Sequence, residues 1–170
     1  MHERHPDSPP ALRYDVIPQD RESVRSLVAA TGFFAPYEVN VAVELVEERL
    51  AKGPASGYHF VFAEQQKQLL GYACYGPIAC TQSSFDLYWI AVDVRSQRRG
   101  LGRRLLTEAE SQIRRASGRR VYIETSNRLQ YASTRVFYER CGYRCEAVLK
   151  DFYAPGDDKV IYSRALTTDA

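Results

Sequence analysis

The chain has 170 residues, and its 23 Lys and Arg residues against 21 Asp and Glu residues give a formal net charge of only +2 at pH 7. This balance argues against bulk binding of nucleic acid, and neither a membrane-spanning apolar run nor a secretory signal is recognisable. A chain of this length buries roughly 70% of its unfolded surface, enough for one core without disulfides or metals. We therefore expect a cytoplasmic protein with a disordered segment over residues 1–10 and one domain over residues 11–170.

Hydrophobic periodicity and turn residues divide the chain into eleven predicted helices and strands. On the second of the two helices that precede the main sheet, Val41, Leu45 and Leu50 are expected to face the core. In chain order, the predicted elements are a strand at 11–17, a helix from 18 that is broken at 31–36, a helix at 37–52, strands at 58–63, 69–75 and 85–92, a helix at 101–113, a strand at 120–124, a helix at 131–140, and strands at 143–152 and 160–166.

A glycine loop lies between the predicted strand at 85–92 and the predicted helix at 101–113. Gly100 and Gly102 permit a sharp turn with exposed N–H groups, and the start of the helix attracts anions. A Walker loop needs four residues between its glycines, and Leu105 replaces the third glycine of a dinucleotide motif. The loop therefore predicts a diphosphate site of another kind, with an ordinary loop bearing solvated arginines as the alternative.

The strand, the Gln/Arg-x-x-Gly-x-Gly loop and the helix resemble the acetyl-CoA site of the GNAT acetyltransferase superfamily, and the predicted element order is similar to the GNAT pattern over almost the whole chain. The resemblance implies an α/β (α+β) fold with a mixed sheet of about seven strands, splayed between the fourth and fifth strands and flanked by about four helices. It implies acetyl-CoA as cosubstrate, with its pantetheine arm on the main chain of Ile90, Ala91 and Val92. Its diphosphate would be wrapped by Arg98, Arg99, Gly100, Leu101, Gly102 and Arg103.

A second segment, residues 134–143, is similar to the GNAT pattern Ala-x-x-Phe-Tyr-x-x-x-Gly-Phe. Tyr138 falls at the position that in many members donates a proton to the departing CoA thiolate, which a phenol of pKa ~10 can do. The alternative is a tyrosine that merely occupies an apolar helix position. Tyr131 replaces the asparagine that usually precedes this pattern, so cofactor contacts from this turn stay open.

Attack by an amine requires a base near the thioester, directly or through water. Glu124 precedes Tyr138 in the order found in bacterial ribosomal-protein N-terminal acetyltransferases, so the resemblance implies Glu124 as the base. A strand-end carboxylate bonded to a loop amide is the alternative, and Asp86 is the second candidate. A cysteine acyl intermediate is disfavoured because no histidine adjoins Cys74 or Cys141, and the cysteine spacing predicts no metal site.

By the resemblance, the acceptor enters opposite CoA, where Phe33, Phe34 and Tyr153 are expected to form an apolar wall. Asp157 or Asp158 would attract a cationic amine, unless both serve only a hairpin turn. We thus predict an N-acetyltransferase that moves an acetyl group from acetyl-CoA to a primary amine, on a small molecule or a peptide N-terminus, by direct attack in a ternary complex. The alternative is a non-catalytic CoA-binding regulatory module of the same fold, and a homodimer is left open.

Overall fold

The structure, a computed structural model, describes residues 9–166 and contains one seven-stranded sheet over that range. The prediction of a disordered N-terminal segment falls, for residues 1–8, outside the described residues. The strands are β1 (Ala11–Arg13), β2 (His59–Gln65), β3 (Gln68–Pro77), β4 (Ser84–Val92), β5 (Arg120–Ser126), β6 (Arg144–Ala154) and β7 (Asp157–Ala165). The α-helices are α1 (Asp20–Ala30), α2 (Pro36–Lys52), α3 (Leu101–Arg115) and α4 (Ala132–Arg140).

The strands are ordered β1-β2-β3-β4-β5-β7-β6 across the sheet. Among these described strands, β4 and β5 pair in parallel and every other neighbouring pair is antiparallel. A parallel pair needs a long crossover connection, which α3 supplies between β4 and β5. The predicted mixed sheet of seven strands with four flanking helices is thus confirmed. None of the helices within residues 9–166 is both long enough and apolar enough to cross a membrane.

Strand β1 ends four residues earlier than predicted, because the chain turns at Arg13 to enter α1. The Arg13 guanidinium binds the carboxylate of Asp20 at 2.8 Å, and the Ile17 N–H donates to the same carboxylate at 2.8 Å. Asp20 is buried and is the first residue of α1. A buried carboxylate is stable only when paired and hydrogen-bonded, and these bonds fix the first turn of α1 against the sheet.

The inward face of α2 agrees with the predicted one only in part. Leu45 and Leu50 pack against the core, partly buried, as predicted, but Val41 is 42% exposed and Val39, Ala42, Val43 and Val46 are the buried residues. The spacing 39, 42, 43, 46 is itself a helical stripe, so the period was correct and the face was displaced by part of a turn. When a helix carries two adjacent apolar stripes, the sequence alone does not determine which stripe is buried, because that depends on which one faces the sheet.

Both faces of the sheet are covered by helices. On one face, Val24 of α1 and Val46 of α2 pack in a cluster with Tyr72 of β3, and on the other Leu105 of α3 packs in a cluster with Val121 of β5. Full burial of one such side chain contributes about 1.5–3 kcal/mol. The helices therefore pack on both faces of the sheet around the β4–β5 junction.

The β4–β5 junction opens partway along its length. Parallel pairing covers Ser84 to Asp86 on β4, opposite Arg120 to Tyr122 on β5, and stops there. Strand β4 nevertheless stays paired with β3 as far as Val92. From residue 87 to residue 92, β4 thus has one backbone edge without a β5 partner, and the N–H and C=O groups of this edge can bond a ligand or water.

Candidate active site

A cleft of about 390 Å³ opens where β4 and β5 separate. One wall is β4 from residue 87 to 92 and the other is β5 from residue 123 to 126, while the α1–α2 connection and α4 close the space. The predicted site residues that line it are Phe33, Phe34, Ile90, Ala91, Val92, Glu124, Tyr138 and Tyr153. Folding therefore gathers residues from five separate segments of the chain into one cavity.

The β4 wall presents main chain rather than polar side chains. Ala91 is buried beneath α1 and α2, and the side chains of Ile90 and Val92 pack against the opposite core. The Val92 carbonyl accepts a hydrogen bond from the Gln97 side-chain amide at 3.1 Å. Gln97 lies in the cleft but was not a predicted contact, although it opens the glycine motif.

The glycine loop leads from β4 into the N-terminus of α3 but does not itself line the cleft, apart from Gln97. Gly100 has φ +82° and Arg98 has φ +60°, left-handed backbone of the kind from which anion-binding nests are built. Leu101 is buried in the core, which leaves only its backbone for a ligand, and the Arg103 guanidinium donates to the Arg140 carbonyl at 3.1 Å. Arg98 and Arg99 are exposed.

Tyr138 lies on the inner side of α4 with only 5% of its surface exposed. Its ring packs against those of Phe137, Tyr143 and Tyr162 at centroid distances of 5.4, 6.1 and 6.1 Å. Among the described residues, its hydroxyl has no hydrogen-bond partner. Burial raises the pKa of Tyr138 above its usual value of 10, so the phenol stays protonated at neutral pH.

Glu124 stands on the opposite wall with 49% of its side chain exposed. Its carboxylate binds the Lys159 ammonium at 2.6 Å rather than a loop amide. Lys159 in turn lies over the ring of Phe152, 3.6 Å from the ring centre. The cation is thereby held in place from two sides and fixes the Glu124 carboxylate at the cleft wall.

Asp86, the second candidate for the base, occupies the last paired position of β4 before the cleft and does not line it. Burial, and next the charge of Glu124, raise the pKa of Asp86 to about 6, while Lys159 acts in the opposite direction. Its usual value is 3.8, so folding favours the protonated acid. Asp86 is thus half-buried, and the charges of Glu124 and Lys159 both act on its pKa.

Asp86→Asn is expected to stabilise the protein at pH 8 and to have no such effect at pH 4. A carboxyl whose pKa is raised on folding reduces stability as the pH rises from about 4 through about 6. The full difference would be ~3 kcal/mol, and we expect about half of it because Asp86 keeps partial access to water. Urea unfolding at the two pH values measures the gain; an unchanged or lower stability at pH 8 would contradict the burial of this charge. Asp93→Asn is the control with the opposite sign: the hydrogen bond from Arg95 lowers the pKa of Asp93, so this variant should lose stability at pH 8 rather than gain it.

Aromatic rings form the end of the cleft where the acceptor was predicted to enter. Phe34 packs on Trp89 with centroids 4.9 Å apart, and Phe33 faces Tyr131 at 6.4 Å. The Tyr131 hydroxyl donates to the Phe33 carbonyl at 3.4 Å, which joins the α1–α2 connection to the turn after β5. Tyr153 completes the apolar surface. From the sequence, Tyr131 was noticed only because it replaces an asparagine of the GNAT pattern, and nothing indicated that Trp89 would lie in the site.

The expectation that Asp157 or Asp158 attracts the acceptor amine is wrong. Asp157 is buried, accepts a hydrogen bond from the Ser126 hydroxyl at 2.5 Å and pairs with Arg128 at 2.9 Å. Asp158 accepts from the Asn127 amide at 2.8 Å. Both carboxylates are therefore used to fasten the β6–β7 hairpin to the turn that follows β5.

The cysteines are not part of this cleft. Cys74 is buried and Cys141 is half-buried, and neither lines it. Desolvation raises the pKa of both thiols, which keeps them in the unreactive protonated form. Over residues 9–166, no group of three or more His, Cys, Asp and Glu side chains is placed to hold a metal ion.

The split mixed sheet and the cleft between β4 and β5 are those of the structural class implied by the sequence resemblance. Residues 56–145 match the acetyltransferase (GNAT) domain model. A crystal structure of a GNAT-family protein from Desulfovibrio desulfuricans is 52% identical, with a TM-score of 0.91 over 92% of this chain and 99% of that one. The chain belongs to the GNAT acetyltransferase family.

More distant structures share the fold. An aminoglycoside 6′-N-acetyltransferase complexed with coenzyme A is 16% identical, with a TM-score of 0.74 over 94% of this chain and 99% of that one. The ribosomal-protein-S18-alanine N-acetyltransferase from Escherichia coli is 18% identical, with a TM-score of 0.70 over 94% of this chain and 97% of that one. No curated protein matches the chain.

Proposed function

We propose that this protein is an acetyl-CoA-dependent N-acetyltransferase that moves the acetyl group to a primary amine by direct attack in a ternary complex. One observation carries the proposal: a buried phenol, Tyr138, and a carboxylate, Glu124, line the same cleft beside the unpaired edge of β4. Membership of the GNAT family and the coenzyme A complex of a protein with the same fold support acetyl-CoA as the donor.

The chain offers two kinds of contact to acetyl-CoA. The unpaired main chain at residues 90–92 suits the amide groups of the pantetheine arm, because those amides can extend the sheet from its inner edge. The N–H groups of Gly100, Leu101 and Gly102 lie at the start of α3, where the helix dipole favours a diphosphate. The exposed guanidinium groups of Arg98 and Arg99 add positive charge beside them.

Acetyl transfer forms a C–N bond and breaks a C–S bond, and both ends of the reaction need a proton-transfer group. Glu124 takes the proton of the acceptor ammonium, directly or through a water, so that the neutral amine can attack. Backbone N–H groups near Val92 stabilise the oxyanion that develops on the carbonyl. Tyr138 then gives its proton to the departing sulfur, which is why a phenol kept protonated by burial suits this position. The second proton that the attacking nitrogen loses on becoming an amide restores the Tyr138 phenol, directly or through a water.

Direct transfer is favoured over an acyl-enzyme on a cysteine. A nucleophilic cysteine needs a lowered pKa and access to the thioester. Cys74 and Cys141 have raised pKa values and lie outside the cleft. The acetyl group therefore passes from sulfur to nitrogen without resting on a cysteine.

Glu124→Gln is expected to lower kcat/KM by about 100-fold at pH 7, with a smaller loss as the pH approaches 10. A primary amine has a pKa of ~10, so the need for a base falls as the free amine becomes abundant. Initial rates from pH 6 to about pH 10 measure this profile. A loss of equal size at every pH would show that Glu124 is not the base. Asp86→Asn would then be the next variant to test.

Glu146→Gln is the matched control for this series. Glu146 is exposed to a similar degree, 47%, and also pairs with a cation, Arg120, at 3.4 Å. It lies on β6, outside the cleft. Its replacement should leave both kcat/KM and the pH profile unchanged, because it removes an exposed carboxylate without touching the reaction.

A further inference from the structure

Charge is sparse at the acceptor end of the cleft. Within the part of the chain that the structure describes, Arg128 is the only cationic side chain that lines the cleft, and Glu38 and Glu124 are the carboxylates. The surrounding side chains are aromatic: Phe33, Phe34, Trp89, Tyr131 and Tyr153. In such surroundings a single charged group has a large influence on which molecule binds.

Both carboxylates already have partners. Glu38 accepts a hydrogen bond from the Ala35 N–H at 2.7 Å, at the start of α2, and Glu124 is paired with Lys159 at 2.6 Å. A polycationic acceptor would need several unpaired carboxylates to replace its hydration. The cleft therefore fits an acceptor with one amine better than a polyamine.

The Asp157 carboxylate holds one side of the Arg128 guanidinium, and the other side is open to a ligand. Its Nε pairs with Asp157 at 2.9 Å, and Asp157 is buried and held by the Ser126 hydroxyl at 2.5 Å. Its guanidinium carbon lies 6.0 Å from the centre of the Tyr131 ring. Among the described residues, the terminal nitrogens of Arg128 have no hydrogen-bond partner. The planar fork of two N–H donors is therefore available to an oxyanion, the geometry that carboxylates and phosphates match.

We propose that the acceptor carries an oxyanion, a carboxylate or a phosphate, together with its primary amine and an apolar body, and that Arg128 binds the oxyanion. Glu124 and Arg128 are four residues apart, so their Cα atoms are no more than about 14 Å apart and one molecule of amino-acid or dipeptide size can contact both. The Tyr131–Phe33 bond at 3.4 Å joins the two sides of the cleft there, which favours a compact acceptor over an extended polypeptide. The inference rests on the proposed function, because it assigns the acceptor side of the same cleft.

The test is calorimetric binding of matched probes to the protein saturated with CoA. The probes are 3-phenylpropionate, 3-phenylpropyl phosphate and 3-phenylpropanol, which share one apolar body and differ in the terminal group. We expect the wild type to bind at least one anion about tenfold or more tightly than the alcohol. The stronger of the two anions identifies the carboxylate or the phosphate as the preferred group. Equal binding of anion and alcohol, or no binding of either anion at millimolar concentration, would overturn the proposal without any variant.

Arg128→Gln should remove the preference for the anion while leaving the alcohol within about twofold of its wild-type affinity. Arg144→Gln, on exposed β6 and outside the cleft, should keep the full preference. If Arg128 serves only to pair with Asp157, Arg128→Gln will lower stability and keep the preference, which would refute its role in binding. CoA binding is measured first on the same samples, so that failure of the donor site is distinguished from failure of the acceptor assignment.

Discussion

Gly100→Glu is expected to weaken acetyl-CoA binding by at least ~100-fold, the equivalent of about 3 kcal/mol. Gly100 is the N-cap of α3 with φ +82°, a conformation that other residues adopt only with strain. A carboxylate at this position would place negative charge where the diphosphate is proposed to bind. Calorimetric titration with acetyl-CoA measures the loss directly.

Gly156→Glu is the matched control for Gly100→Glu. Gly156 has φ +78°, and, as at Gly100, no atom lies within 4 Å of an added Cβ. The backbone strain and the added charge are therefore nearly the same, but Gly156 lies in the β6–β7 turn. We expect this variant to bind acetyl-CoA like the wild type. If the Gly100→Glu protein is folded and keeps its affinity for acetyl-CoA, the glycine loop is not part of the donor site.

Tyr138→Phe is expected to lower kcat by about 100-fold while acetyl-CoA affinity changes by no more than about twofold. The phenylalanine ring keeps the packing against Tyr143 and Tyr162, so the fold and the donor site are retained. Only the proton for the departing sulfur is lost. Steady-state rates at saturating acetyl-CoA, together with calorimetry, separate the two effects.

Tyr162→Phe provides the control, because Tyr162 contacts the same ring but its hydroxyl donates to Glu139 at 2.9 Å. It does not line the cleft. Turnover should be unchanged in this variant. Normal turnover in Tyr138→Phe at saturation, whatever its affinity, would show that the phenol does not supply the proton.

Sequence patterns located the elements of this fold because most of them have a local cause. Aromatic and β-branched residues marked β4, and Gly142, with φ +86°, marks the end of α4. The failures have non-local causes. Val41 was assigned to the wrong stripe because the sheet decides which face of α2 is buried, and β1 was overextended because Asp20 draws the chain away from the sheet.

The residues of the candidate site show the same difference between local and non-local causes. Tyr138 and Glu124 were predicted from motif and order, and the structure places them on one cleft, although their roles stay predictions. Arg128 and Lys159 carried no signal, because their contacts depend on the register of β5 against β7. Asp157 was misassigned for that reason: from sequence it is a turn residue, whereas the register buries it beneath Ser126 and Arg128.

Calorimetric titration of the wild-type protein with acetyl-CoA tests the central claim most directly. The main-chain edge of β4 at residues 90–92 and the start of α3 should together give saturable binding of one acetyl-CoA per chain, with coenzyme A as the reference ligand. Such binding would establish the donor site on which the proposed transfer depends. A folded protein that binds neither molecule would contradict the proposed transferase and leave a GNAT fold without its donor.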